Sequence, residues 1–295
     1  MRVLIDNVNS NSNSGPNSFG KKLISEFNRT GHQASTSLLD PDVQLSFIFA
    51  TQKKAKLALR LDGIYFNTRQ DWRLQNKQIQ SSHYDAKKVI YQSFFNKSLT
   101  EKYFGAKDGV VINNGVCLET ISKIQPIVSP QLDRFSEVWV CASSWRPHKR
   151  LRDNVQYFLS FAPSTAGLVI LGENPDHLLK HPRIIYANQQ SWETCVAIYR
   201  RAKVFLHLAF LDHCPNVVVD ARASGCDLIV ASSGGTKEIA GPNATVIQDI
   251  DWDFEPLDLY SPPPLNYDKV TKNNFDCNID IVDVCRRYVD VLESI

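Results

Sequence analysis

Neither sign of charge dominates this chain: Lys and Arg number 33 and Asp and Glu 31, a net charge of +2 over 295 residues. Affinity for nucleic acid needs a concentrated basic face, so nucleic acid is not an expected partner and any basic function is local. Paired cysteines are missing. The seven cysteines, at Cys117, Cys141, Cys195, Cys214, Cys226, Cys277 and Cys285, stand singly, with no CxxC and no His spacing suited to zinc. A reduced compartment is expected and a metal site is not. Long hydrophobic runs are missing as well: the stretch Val204–Leu211, interrupted by His207, falls far short of the ~20 residues of a membrane span. The opening MRVLIDNVNSN holds only the short apolar run Val3–Ile5, not the apolar core of a signal peptide. The expected location is cytoplasmic, with peripheral contact at a membrane surface left open. A GxGxxG fingerprint with an acid at the dinucleotide spacing is also lacking, which disfavours simple NAD binding.

What is present is ordinary globular usage, 43% hydrophobic and 22% charged, enough for two domains of roughly 100–200 residues. Val3–Ile5 reads as a buried strand, residues 7–18 as a polar loop, and Phe19, Leu23 and Phe27, spaced by four, as a helix closed by Gly31. Short apolar runs recur at 45–49, 57–61, 88–91 and 110–112 between polar or helical segments, the alternation of an α/β sheet. A polar, proline-marked stretch, 123–136, precedes a new strand at 137–142, and the alternation restarts. Further strands are expected at 167–171, 183–186, 204–209 and 227–231, with helices on Trp192, Cys195, Val196 and Tyr199, over 215–224, and from Lys237 with Thr236 as its N-cap. Residues 251–278, carrying Pro256 and Pro262–Pro264, read as an ordered crossing segment without regular structure. Val282, Cys285, Val289 and Leu292 mark a docked terminal helix. The expected division is 1–130, 131–278 and a terminal helix at 279–295 that packs back across the domains.

In open α/β sheets ligands bind beyond the carboxyl ends of strands, so the loops there carry the chemistry. In LDHCPNVVVDARASG, residues 211–225, Pro215 suits the first helical position, and the free amides of that turn, around Cys214, Pro215, Asn216 and Val217, form an anion site by geometry. Asp212 lies just before the helix and Asp220 within it; a dipole-favouring acid and a solvated helix acid would explain these two equally well. In SSWRPHKRLRDN, Arg146, His148, Lys149, Arg150 and Arg152 crowd a helix start, where the dipole disfavours cations. A bound anion would resolve that conflict, and splaying into water would relieve it. SSGGTKE, 232–238, permits close backbone approach to a ligand or is simply a turn. In NSNSGPNSFG, Gly15, Pro16, Asn17 and Ser18 form a small-residue loop able to cradle phosphate or acceptor. Asp62 of RLDG ends a strand, as a site residue or an Asp-Gly turn. His83 and His207 read as ordinary histidines, and His213 gains interest from its place in the anion loop.

In this order the pieces resemble a family 4 retaining glycosyltransferase of the GT-B fold. NNGVCLE (113–119) is similar to the element that closes the family's first domain, with Cys117 where Asp is usual; WRPHKRL is similar to its donor-phosphate element; residues 197–239 are similar to its long signature; RLDGIYFN and YQSFFNKSLTEKYFG add to the first half. The resemblance implies two Rossmann-like doubly wound parallel-sheet domains facing across a cleft. It places the family's paired acids on Asp212, contacting the transferred sugar, and Asp220, holding ribose hydroxyls, each one methylene shorter than the usual Glu. Arg146 and Lys149 would neutralise the diphosphate. Asp62 would stand where many members have a catalytic His, and base contacts would come from Tyr186, Ala187 and Asn188.

The implied activity is that of a hexosyl- or related glycosyltransferase, moving sugar from a nucleoside diphosphate sugar to a carbohydrate or lipid-linked acceptor. Cations and helix amides would stabilise the leaving diphosphate, with no metal and no cofactor. The alternative is a catalytically inactive sugar-nucleotide or glycan-binding module of the same fold.

Overall fold

The computed structural model describes residues 1–12, 14–173 and 179–295. Its first part runs β1 (Arg2–Asp6), α1 (Gly15–Arg29), β2 (Gln33–Ser35), β3 (Val43–Phe47), β4 (Lys56–Leu61), α2 (Trp72–Asp85), β5 (Lys88–Tyr91), α3 (Phe94–Phe104), β6 (Gly109–Val111), α4 (Leu118–Lys123) and α5 (Pro130–Asp133). There follow β7 (Val138–Ala142), a 3₁₀ turn (Pro147–Lys149), α6 (Leu151–Phe161), β8 (Gly167–Leu171), β9 (Ile184–Asn188), α7 (Trp192–Arg201) and β10 (Val204–His207). The chain ends with α8 (Asn216–Ala223), β11 (Asp227–Ala231), α9 (Thr236–Ala240), β12 (Thr245–Ile247), β13 (Val270–Lys272) and α10 (Ile281–Glu293).

Two sheets result. The first has the order β2-β1-β3-β4-β5-β6, with every pair parallel. The second has the order β13-β12-β11-β10-β7-β8-β9, parallel except at the β12–β13 edge. Parallel strands covered on both faces read as apolar runs, and β7 and β8 are buried at every position. In each sheet the order reverses between neighbours, β1 with β3 and β7 with β10, which opens a crevice beyond their carboxyl ends.

Alternation along β4 shows how a sheet sorts its residues. Leu57, Leu59 and Leu61 join Ile79 and Leu99 on the face covered by α2 and α3, whereas Ala58 faces the cluster of Phe19, Leu23 and Phe27 of α1 with Tyr288 of α10. At ~1.5–3 kcal/mol for each large apolar side chain removed from water, these faces dominate the stability. Asp71, Ser93, Ser191 and Asp280 each cap a helix through a side-chain oxygen, starting α2, α3, α7 and α10.

Several expectations need correction. Residues 15–18 are not a loop but the first turn of α1, because Pro16 presets helical φ at its start; Asn13 of that stretch lies outside the described residues. Pro215 is the N-cap of α8, so the helix begins at Asn216. Gly235 caps α9, whose first residue is Thr236. The strand expected at 183–186 runs over Ile184–Asn188, so Tyr186, Ala187 and Asn188 all belong to β9. The segment 251–278 contains β13, and Trp252, Phe254, Leu257 and Leu259 of the same segment pack on the first sheet. The buried face of α10 is Ile281, Val284, Cys285, Tyr288, Val291 and Leu292, while Val282 is exposed; the helix packs on the first sheet's cluster against α1. Among the described residues no helix is long and apolar enough to cross a membrane.

Candidate functional site

The loop after β10 is pinned at both ends. Phe210 and Leu211 insert into the first sheet's cluster with Leu61, Ile64 and Phe66, and Leu211 takes the left-handed φ of 54° just before Asp212. The backbone of Asp212 accepts from Gly235 N–H at 2.8 Å, and a Cβ on Gly234 would fall 2.4 Å from that same carbonyl oxygen. One carboxylate oxygen of Asp212 takes Lys149 Nζ at 2.5 Å and lies 3.0 Å from His207 Nε2; the other accepts from His213 N–H at 3.0 Å. Burial pushes this carboxyl up, but the Lys149 charge and the His207 hydrogen bond outweigh it and hold the group well below the usual carboxylate range. Burial also keeps His207 below its ordinary value, against the pull of Asp212. Lys149 follows β7 and Asp212 follows β10, and these strands are neighbours, so the ion pair stands at the second sheet's point of reversal.

Asp62 follows β4 in the first sheet. Arg60, completely buried, stacks 4.6 Å from the Phe19 ring and 4.7 Å from the Phe47 ring, and its guanidinium pairs with one oxygen of Asp62 while also reaching Tyr288 at 3.1 Å and Asn114 at 2.7 Å. The second carboxylate oxygen of Asp62 is buried without a partner. Burial raises the Asp62 carboxyl above its ordinary value although Arg60 opposes it. Asp62 and the acid loop meet through their neighbours: a Cβ on Gly63 would lie 2.5 Å from the His213 ring. His213 sits against Phe66 and Phe95 and is pushed down to about 4, chiefly by burial.

The start of α8 faces the first sheet. Cys214 is buried, Asn216 Nδ2 donates to the Gly15 carbonyl at 2.9 Å, and Asn114 Nδ2 donates to Asn216 Oδ1 at 2.9 Å and to the Cys214 carbonyl at 3.1 Å. Val217 packs against the second sheet's cluster. One turn on, Asp220 is buried, with one oxygen taking Lys22 Nζ and the other Trp192 Nε1, both at 3.0 Å.

The basic run divides. Lys149 alone among its five cations bonds an acid of this loop. Arg150 is buried in an ion pair with Asp249 at 2.7 Å and donates to the Pro263 carbonyl, so it ties the crossing segment down. His148 is buried and stacks on Tyr260, whereas Arg146 and Arg152 are exposed. Tyr186 donates to the Leu179 carbonyl at 3.0 Å, Gln190 donates to the Ala187 carbonyl, and Asn188 pairs with Leu171; Tyr186, Ala187 and Asn188 lie on the edge strand of the second sheet. Asn17 is occupied within its own segment, accepting from Asn9 N–H at 2.8 Å, and Ser18 N–H donates to the Ser14 carbonyl. Among the described residues no group of three His, Cys, Asp or Glu side chains is arranged to hold a metal ion.

Five participants escaped the sequence reading. His207, read as ordinary, bonds Asp212. Glu238 reaches across to the first part of the chain and accepts from the N–H groups of Phe94 and Phe95 at 2.6 and 2.9 Å, so SSGGTKE is more than a turn. Lys22 and Trp192 carried no local signal. Arg60 carried one: a cation inside an otherwise apolar strand, two residues from an acid.

No family model matches the sequence, and no curated protein sequence matches it. Solved structures do. Anabaena HepE in complex with UDP superposes with a TM-score of 0.70 over 100% of both chains at 11% identity. Sucrose-phosphate synthase from Thermosynechococcus elongatus gives 0.64 over 85% of this chain and 86% of its own at 12% identity. A glycosyltransferase from Rickettsia africae gives 0.63 over 100% and 98% at 11% identity. The fold is therefore that of the GT-B glycosyltransferases.

Proposed function

We propose that the chain is a glycosyltransferase that moves a sugar from a nucleoside diphosphate sugar to a carbohydrate or lipid-linked acceptor with retention of configuration. The observation that carries the reading is the convergence of Asp62 from one sheet and the Lys149–Asp212 pair from the other on a single seam, where Gly63 touches His213. The fold shared with HepE, whose solved complexes hold UDP and UDP-glucose, supports it.

In this reading the bond from the sugar's C1 to the diphosphate oxygen breaks as the acceptor oxygen bonds to C1 on the same face, and the acceptor's proton passes to the departing diphosphate oxygen. Lys149, with Arg146 approaching from the exposed rim, and the N–H groups at the start of α8 take up the charge that develops on the leaving diphosphate. Asp212 meets the sugar, and its charge opposes the positive charge that develops at C1. Asp62, with one oxygen held by Arg60 and the other unpartnered, receives the acceptor hydroxyl. Asp220 takes the ribose hydroxyls, and base contacts fall to Tyr186, Ala187 and Asn188 at the end of β9. The seam between the sheets excludes the water that would otherwise hydrolyse the donor.

The test is a thermal-shift panel of UDP-, GDP- and ADP-sugars followed by an assay for released nucleoside diphosphate. A ligand at 100 times its Kd adds ~2.7 kcal/mol to the folded state. Binding with turnover supports the transferase. Binding without turnover in the presence of varied acceptors supports the inactive sugar-nucleotide module, and no shift from any member removes both.

A further inference from the structure

We propose that Lys22, on α1 of the first sheet, is a positioning residue of the nucleotide site in the second: with Trp192 it holds Asp220 as an oriented, charged acceptor for a vicinal diol. The inference rests on the nucleoside diphosphate sugar reading and names a group outside every element that reading uses.

The argument starts from the two helices. Gly15 and Lys22 are seven residues apart on α1, and Asn216 and Asp220 four apart on α8, so each pair lies on one helix face. The two faces meet in register: Asn216 Nδ2 bonds the Gly15 carbonyl at 2.9 Å, and Lys22 Nζ bonds Asp220 at 3.0 Å. Trp192, the first residue of α7, closes the third side. Its indole N–H bonds the other carboxylate oxygen at 3.0 Å while its ring lies 5.4 Å beneath Lys22 Nζ. The Lys22 side chain keeps 23% exposure and that of Asp220 7%.

An ion pair at this depth adds little net stability, because desolvation offsets most of the attraction. Its geometry suits a ligand better. A carboxylate offers about four acceptor positions; Lys22 and Trp192 take one on each oxygen. One remains on each, the pattern that two adjacent hydroxyls complete. Replacing Lys22 by Met keeps the length of the side chain but leaves a buried carboxylate without its cation, which weakens and misorients the acceptor that the diol needs.

Calorimetry tests this with UDP, GDP and ADP and, for whichever binds the wild-type protein, its 2′,3′-dideoxy form. Two hydroxyls bonded to a charged group should give wild type a preference for the ribose form of roughly tenfold to a hundredfold. K22M should lose most of that preference through weaker binding of the ribose form, with the dideoxy form nearly unchanged. K22R should retain it, and W192F, which keeps the ring but loses the N–H, should fall between. Equal weakening of both forms, or no change, would make Lys22 a structural tie between the sheets and overturn the inference while the nucleotide reading stands. A wild-type protein that binds none of the three diphosphates would overturn both.

Discussion

Gly63 and His213 touch across the seam between the sheets with no room for a methyl group: the missing Cβ would lie 2.5 Å from the imidazole, and Gly63 sits at φ +134°. The contact brings the loop after β4 and the loop after β10 together, and with them Asp62 and Asp212. Gly63→Ala is expected to cost about 1–3 kcal/mol through overpacking, with more from the strained φ, and to separate the two acids. Thermal denaturation checks the first consequence and donor turnover the second. A variant with wild-type Tm and turnover would show that the loops part easily.

Lys149 and Arg146 are unequal. Lys149 is mostly buried on Asp212, whereas Arg146 is exposed. Lys149→Ala should lower nucleoside diphosphate affinity by about 1.5–3 kcal/mol, the range for hydrogen bonds to charged groups, and should also leave Asp212 buried without its cation. Arg146→Ala should cost less than about 1 kcal/mol, as for an exposed charge. Calorimetry with UDP, GDP and ADP decides, and equal losses from the two variants would contradict the ranking.

The strands were legible where burial on both faces gives an apolar run with clear ends: 88–91, 167–171 and 227–231 are expected and observed without change. The edges were not. β13 is exposed at every residue and exists only because β12 offers it a partner. The face of α10 was misjudged by about one position because Val282 and Val289 are as apolar as their buried neighbours, and Tyr288 is chosen by its bond to Arg60 rather than by hydropathy. Asp212 and Lys149 were both nameable, since each follows a strand, but their pairing depends on β7 and β10 being neighbours. Lys22 and Asp220 lie 198 positions apart, a contact that only the packing of two sheets decides.

Buried histidines give the stability a pH dependence. His83 is buried with both ring nitrogens unpartnered and is pushed down to about 4, mainly by burial and further by Lys107; His213 is also near 4. A folded-state value below the unfolded ~6.5 means that the unfolded chain binds the proton first. The contribution of each is complete above pH 6.5 and is lost as pH falls toward 4, by up to about 1.4 kcal/mol per pH unit for each group. His83→Leu strands no partner, so it should be near neutral at pH 7.5 and should flatten the decline between pH 6.5 and 4.5. Urea midpoints across that range test it; an unchanged slope would remove His83 as a contributor.

In the proposed reaction turnover should survive EDTA, because Lys149 and the amides at the start of α8 would supply positive charge to the leaving diphosphate. Activity that disappears with chelator and returns with Mn²⁺ or Mg²⁺ would mean that the leaving group is neutralised differently.

The two acids of the 212–220 segment should separate kinetically. Asp220 lies beside Trp192 and Lys22, one helical turn from the start of α8, where the ribose is proposed to sit; Asp220→Asn keeps one acceptor oxygen but loses the charge, so it should mainly raise the donor KM. Asp212 lies at the junction with the first sheet, where the proposed reaction puts the bond that breaks. Its charge acts most strongly when positive charge develops at C1, and an interaction that strengthens in the transition state appears in kcat. Asp212→Asn should therefore lower kcat with a smaller change in KM. It also releases Lys149 and His207 from their shared oxygen, so its Tm must be measured alongside. If a folded Asp212→Asn keeps wild-type kcat and KM, the acid serves only to hold Lys149 and the loop in place, and the sugar is met by other groups.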